Sequence, residues 1–296
     1  MKKYFLVVIG LMLCFGIKAQ KVVNVATQRF EEQVSFTPGK VLKLDLEKVQ
    51  VSIIGVERDF YEFEITFKSK HKDQKQAIKE LGYLKYQLKE VGDTIYFSND
   101  FVSGDTFQKI QGVLNVELLI KAPKSGELVV KNAYGKTFVR NVSASIDLNG
   151  KFVETKINEC EGDLKIVSAF GEHQINEYEG NLILNLSRVD LMGSEIKGEV
   201  RGKTSYGSIN INELSSSHFE MDSRRTAFTL TLGETSLQYY HFDLASQLGS
   251  ILVEGAINEK VTNQWKYEGT SDSTIKIKTT FSPIIIRDQS LNARRK

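Results

Sequence analysis

The sequence predicts an all-β fold, a right-handed single-stranded parallel β-solenoid of about eighteen residues per coil, preceded by a β-rich N-terminal region with one short helix. Three observations predict it. First, an eighteen-residue unit recurs almost five times without insertion between Leu128 and Leu214, most clearly as I-N-E-C-E-G (157–162) and I-N-E-Y-E-G (175–180). A fixed short period is how a repeat architecture shows itself in sequence. Second, the period aligns apolar residues into columns: Leu128, Ile146, Leu164, Leu182, Val200; then Val130, Leu148, Ile166, Leu184, Gly202; then Tyr134, Phe152, Phe170, Arg188, Tyr206. Two further columns run Val139, Ile157, Ile175, Gly193, Ile211 and Val142, Cys160, Tyr178, Ile196, Leu214. Of these 25 positions 22 are apolar, where the overall hydrophobic fraction of 41% would give about ten, so the columns read as a stacked interior. Third, turn residues halve each unit. Gly135, Gly171 and Gly207 follow an aromatic, and Gly162, Gly180 and Gly198 follow a charge. Glycine suits a turn through positive φ.

Within a unit, apolar residues two apart, such as Leu164 and Ile166, mark a strand with one buried face. A meander of hairpins fits the same pattern, but its apolar face would need a second layer. No run of amphipathic helices is there to supply one. A coil of eighteen residues at about 3.3 Å each has a contour of about 60 Å, enough for two facing strands around a packed interior. Right-handedness follows from the handedness of parallel crossovers.

From the N-terminus, residues 1–19 read as a signal peptide: Lys2 and Lys3, an apolar core from Tyr4 to Ile17, and Ala19 before the cleavage point. This segment is too short for a permanent transmembrane anchor. Leu13 is bulkier than a lipoprotein site prefers, so Cys14 reads as part of the apolar core. Cleavage removes Lys2, Lys3 and Lys18, leaving 36 Lys+Arg against 37 Asp+Glu. A near-neutral chain has no basic excess to attract nucleic acid or an anionic bilayer. Cys160 then stands alone, which excludes an intrachain disulfide, and it reads as a small buried apolar side chain.

Residues 20–122 form the β-rich region. Apolar alternation marks strands over Val41 to Val56 and Phe60 to Phe67. Ala77, Ile78 and Leu81 at helical spacing, stopped by Gly82, mark the one helix. Tyr83 to Leu88 and Thr94 to Phe97 flank a Gly92-Asp93 hairpin turn, and Val113 to Ile120 leads into the repeats. Residues 123–290 are read as the solenoid and its cap, with 291–296 a mobile tail. Phe242 to Val253 matches Val200 to Ile211 at an offset of 42, two coils plus six residues. That predicts a continuing stack with an insertion between Ser215 and Tyr240 that carries Arg224 and Arg225. Trp265 to Lys278 and Ile284 to Ile286 are the closing strands.

No catalytic residue, cofactor or metal site is assigned. His71, His173, His218 and His241 are scattered, and no H-E-x-x-H, G-x-S-x-G, P-loop or dinucleotide motif occurs. His173 shares a column with Thr137, Thr155, Leu191 and Ile209 and reads as a half-buried structural side chain. Two polar ladders stand out. Asn158, Asn176, Ser194 and Asn212 can bond rung to rung. Glu159, Glu177, Glu195 and Glu213 read as a solvated turn edge, balanced by Lys156 and Lys197; the functional alternative is a calcium ladder, joined by Glu161, Glu179 and Asp163.

The chain resembles the bacterial "putative adhesin" family of secreted β-solenoid domains. The resemblance rests on the leader, the Ala122-Pro123 entry and G-x-h-x-h units such as Gly162-Asp163-Leu164-Lys165-Ile166 and Gly207-Ser208-Ile209-Asn210-Ile211. It covers roughly residues 35–290, and the lysine-alanine-glutamine end of the leader is similar to exported proteins of the Bacteroidota. It implies export to the periplasm, outer-membrane surface or extracellular space, and no catalytic residue to carry over. The expected function is therefore non-catalytic binding or scaffolding, with an envelope protein or glycan as partner and no nucleic acid. Aromatic candidates for a contact surface are Tyr239, Tyr240 and Trp265. The alternative is a polysaccharide lyase or hydrolase built on Arg188, Arg201, Asp190 and Glu199.

Overall fold

A computed structural model describes residues 23–101, 110–233, 237–254 and 263–288. The segment expected to be a leader, with Cys14, and the expected tail 291–296 lie outside the described residues. Among the described residues the chain is all-β apart from one α-helix and one 3₁₀ turn, and the strands join one sixteen-stranded sheet. The sheet is mixed rather than parallel throughout. Four pairings are antiparallel, Asn24–Ser35 with Phe60–His71, Phe60–His71 with Val113–Pro123, Leu84–Val91 with Thr94–Phe101 and His241–Gln247 with Gln264–Tyr267, and the others are parallel.

The eighteen-residue period is the sheet's register. Strand β10 (Ile146–Lys151) lies between β8 (Glu127–Ala133) and the start of β11 (Glu154–Leu232), pairing Ile146 with Leu128 on one side and Leu164 on the other. Strand β9 (Lys136–Arg140) pairs Val139 with Ile157 in the same sense. Extended chain rises about 3.3 Å per residue, so the 79 residues of β11 must bend repeatedly to pack. The bends are residues with left-handed φ between 51° and 58°: Glu159, Phe170, Glu177, Arg188, Glu195, Tyr206, Glu213 and Arg225. They alternate 11 and 7 residues apart, together the eighteen of the repeat; the last gap, Glu213 to Arg225, is 12.

Left-handed φ falls on these residues, and of the six glycines expected to turn through positive φ four do, Gly162, Gly180, Gly198 and Gly207, at φ 104°, 146°, 101° and 157°. Gly135 and Gly171 do not. They are required for close approach: a Cβ would sit 2.1 Å from the Val49 carbonyl oxygen at Gly135 and 2.2 Å from that of Val153 at Gly171.

Residues 41–56 belong to the same stack. Strand β2 (Val41–Glu47) pairs in parallel with β8, and β3 (Val49–Val56) with β9. On their other side lie β6 (Thr94–Phe101) and β7 (Val113–Pro123). Antiparallel neighbours close this end: β5 (Leu84–Val91) on β6, then β4 (Phe60–His71) on β7, with β1 (Asn24–Ser35) outermost. One apolar core runs from Leu42 to Ile286.

Helix α1 (Gln74–Leu81) is capped by Asp73, whose carboxylate accepts from the Lys75 and Gln76 backbone N–H groups at 2.7 and 3.2 Å. It buries Ala77 and Leu81 as expected, but Ile78 is 59% exposed and Glu80 takes the buried position. Glu80 accepts from the Gln111 and Gly112 backbone, 2.9 Å each, and from Gln76 Nε2 at 3.0 Å. Burial pushes the Glu80 carboxyl up, and these hydrogen bonds outweigh it, leaving the group below the usual carboxylate range.

At the C-terminal end the expected order fails. Strand β12 (His241–Gln247) does not stack on β11. Strand β15 (Thr274–Thr280) lies between them, pairing Ile275 with Phe219 on one side and Phe242 on the other. Likewise β16 (Ile284–Asp288) separates β11 from β13 (Ile251–Val253). The later segment is laid inside the earlier one, and β14 (Gln264–Tyr267) covers β12, the exposed edge, antiparallel. Arg224 and Arg225 belong to β11 itself, in a unit one residue longer than the others, not to an insertion.

Candidate functional site

The two sets of bends form two edges of the molecule, each a file of residues one unit apart. One file carries the aromatic column. Its side chains are not interior: Tyr134 is 54% and Phe152 43% exposed. Strict alternation from Leu128 and Val130 through Asn132 would bury position 134, but the left-handed φ of 58° turns the side chain outward and restarts the alternation at Thr137. The other four columns are buried as expected, apart from half-buried Gly202.

The outward rings stack on one another. Tyr134 and Phe152 lie 5.1 Å apart at 11°, and Phe152 and Phe170 4.8 Å apart at 15°. Arg188, which interrupts the column in sequence, continues it in space. Its guanidinium lies 5.1 Å from the Phe170 ring and 5.6 Å from Tyr206. Arg225 then lies 5.4 Å from both Tyr206 and Phe281. Beyond Tyr134, Lys48 is in the same left-handed conformation, and its N–H donates to the Ala133 carbonyl. The file thus runs Lys48, Tyr134, Phe152, Phe170, Arg188, Tyr206, Arg225, Phe281. Cation–π contacts contribute about 0.5–1 kcal/mol each at exposed sites.

Beside this rail lies a shallow groove of about 510 Å³, on the strand that precedes each bend. It exists because the column next to the rail is short, with Ala169, Ser187 and Ser205. The outer wall is Asn149, Val167, Asn185 and Lys203, and Lys151 closes one end. No carboxylate lines it. Across the rail the positions two residues past successive bends are Lys136, Glu154, Glu172, Asp190 and Ser208, with Glu154 held by Lys136 at 2.5 Å and by Lys156 at 3.3 Å.

The second file is Asn141, Glu159, Glu177, Glu195 and Glu213, all at φ between 51° and 59°. Arg140 pairs with Glu159 at 2.6 Å. Behind the carboxylates one rung of the expected amide ladder forms, Asn176 Nδ2 donating to Asn158 Oδ1 at 2.9 Å, while Asn212 Oδ1 accepts from Thr231 at 3.4 Å. Among the described residues no three His, Cys, Asp or Glu side chains are placed to hold a metal ion.

Of the four residues of the enzyme alternative, two are paired with each other and two have other partners. Arg201 pairs with Glu199 at 2.9 Å, Asp190 accepts from Ser208 Oγ at 2.7 Å, and Arg188 is held between two rings. His173 is 1% exposed rather than half-buried, its two ring nitrogens have no partner among the described residues, and burial lowers its pKa to about 4. Cys160 is buried and free, with burial raising its pKa. Of the aromatic candidates Tyr240 is core, Trp265 is half-buried against Phe242, and Tyr239 is exposed. The rail was missed, though one signal marks it: an aromatic immediately before a repeat glycine, three times over.

No family model and no curated protein matches the chain. It is similar to solved structures described as a "putative cell adhesion protein" from Clostridium sporogenes (13% identity, 88% of this chain and 100% of that one, TM-score 0.29) and a "putative lipid binding protein" from Parabacteroides distasonis (9%, 87% and 96%, 0.36). A "putative adhesin" from Parabacteroides merdae is similar at 12% identity, over 88% of this chain and 96% of that one, with a TM-score of 0.35. Among the described residues no helix is long and apolar enough to cross a membrane.

Proposed function

We propose that the chain is a right-handed parallel β-solenoid, each eighteen-residue unit one coil, serving as a non-catalytic binding or scaffolding protein of the bacterial envelope. The observation that carries this reading is the rail: eight rings and cations in single file, exposed along one edge. A left-handed φ costs a non-glycine residue about 1 kcal/mol or more, so each exposed ring occupies a strained position that glycine or asparagine would fill at lower cost. Contacts along the rail offset that strain, and the ring edges and guanidinium N–H groups they leave exposed supply a binding surface. The regular faces of a repeat protein present extended area with little mobile loop. The adhesin family that the turn motifs resemble implies the same location and role.

Immobilised full chain exposed to envelope fragments tests this. Retention above that of a chain carrying Arg188→Gln and Arg225→Gln is expected. Equal or absent retention contradicts the reading. Incubation with a glycan panel, read for new reducing ends or unsaturated products, tests the non-catalytic part; release of either contradicts it.

A further inference from the structure

Resting on that reading of a binding surface, we infer that the rail and its groove take a linear acidic polysaccharide, one whose sugar residues carry carboxylates. The argument starts from which parts of the rings are free. Phe152 has Tyr134 on one face and Phe170 on the other; Phe170 has Phe152 and Arg188; Tyr206 has Arg188 and Arg225. The faces are occupied, so neither sugar C–H groups nor nucleobases can stack on them. What the rail offers a ligand is ring edges, which carry the positive end of the quadrupole, and the in-plane N–H groups of two guanidinium groups.

The groove adds matching chemistry. Lys151 and Lys203 stand at its two ends, about 14 Å apart along the stack at three strand spacings. Asn149, Asn185, Ser187 and Ser205 lie between them as neutral donors and acceptors. Among the described residues no carboxylate pairs with Lys151, Arg188, Lys203 or Arg225, whereas Lys131, Lys136, Arg140 and Lys165 elsewhere on these strands are all paired. Hydroxyl-rich ligands satisfy the amides and serines, and carboxylates satisfy the four cations. A pyranose chain advances by nearly one strand spacing per residue, so sugar units and rungs keep step.

Width decides against a bilayer. The flank beyond the rail carries Glu172 and Asp190, with no lysine paired to either among the described residues, beside a Glu154 held by Lys136 and Lys156. A planar anionic surface would meet both flanks, while a single chain meets only the basic one.

The test uses full-length protein and four probes: polygalacturonate, its methyl-esterified form, poly(dT), and phosphatidylglycerol vesicles. Polygalacturonate is expected to bind tightest, at least about tenfold more tightly than the neutral ester. Its log affinity should fall linearly with log salt, as counterion release requires. Lys151→Gln/Lys203→Gln should weaken binding about tenfold and flatten that slope by one to two, about one per lost contact. Lys156→Gln, on the opposite flank, should change neither, and unaltered circular dichroism shows that the variants fold. Equal binding of acid and ester, an unaffected double variant, tighter binding of poly(dT) or vesicles, or no binding of polygalacturonate would each overturn the inference. If envelope fragments are still retained when polygalacturonate is not, the ligand assignment fails and the binding role stands.

Discussion

Two edges of this molecule share one backbone conformation and opposite side-chain chemistry. Both are files of left-handed residues, φ 55° to 58° at Tyr134, Phe152, Phe170, Arg188 and Tyr206 and 51° to 55° at Glu159, Glu177, Glu195 and Glu213. On the first edge each strained residue touches its neighbours one unit away, ring on ring or ring on guanidinium, at 4.8–5.6 Å. Each stacking or cation–π contact returns about 0.5–1.5 kcal/mol, comparable to the strain. On the second edge the carboxylates cannot stack on one another and repel weakly in water, and Glu159 is held instead by Arg140 at 2.6 Å. Further support lies behind the bend, in the Asn158–Asn176 amide bond, and at the start of the edge, where Asn141 occupies the same conformation at low cost. A turn geometry therefore does not dictate the residue; contacts along the stack do.

The largest effect expected on either edge comes from adding one carbon behind the bend. Gly171→Ala places a Cβ 2.2 Å from the Val153 carbonyl oxygen, and Gly180→Ala places one 2.0 Å from that of Gly162. Each should lose about 3 kcal/mol or more in denaturant unfolding. Near-normal stability for one of them would show that the close packing differs between edges.

His173, between bends Phe170 and Glu177, is next. Its folded pKa of about 4 lies below the ordinary 6.5, so the unfolded chain takes up the proton first as pH falls. Stability should therefore drop as pH goes from about 6.5 to about 4, by on the order of 3 kcal/mol at about 1.4 kcal/mol per pH unit. His173→Leu should remove that component.

Substitution by asparagine at one bend on each edge compares them directly. Phe170→Asn relieves strain but loses two stacking contacts, a net loss of about 1 kcal/mol. Glu177→Asn relieves the same strain and removes a repelling charge, a net gain of about 1 kcal/mol. Thermal unfolding should show opposite signs, and equal signs would show that stacking contributes nothing to the rail. The smallest effect is ionic: Arg140→Gln leaves Glu159 without its partner and should lower the unfolding temperature only slightly, and less in high salt.

Much of this was legible in the chain. The period, the buried columns, the strands over 41–56, 60–67 and 113–120 and the helix ending at Leu81 follow from spacing alone. Inside and outside at the bends did not, because alternation is counted along a strand and a left-handed residue resets it. Tyr134 is therefore exposed even though residue 132, two before it, is buried. The stacking order after Leu214 was also hidden. Phe242 to Val253 has the right pattern for a coil, but pattern fixes a strand's faces and not its neighbours, and Ile275 and Ile284 compete for the same edge. Arg188 looked like an interruption because hydropathy does not register a guanidinium as a stacking partner.

The central claim is that eighteen residues advance the chain by a single strand spacing. Spin labels at Ala133 and Arg224, five units apart on one edge, measure this directly in protein with Cys14 and Cys160 replaced. One strand per unit predicts a separation of about 24 Å, and a hairpin per unit, with two strands each, about 48 Å. A distribution centred near the shorter distance is expected, and one near the longer would contradict the stacked coil and the continuous rail built on it.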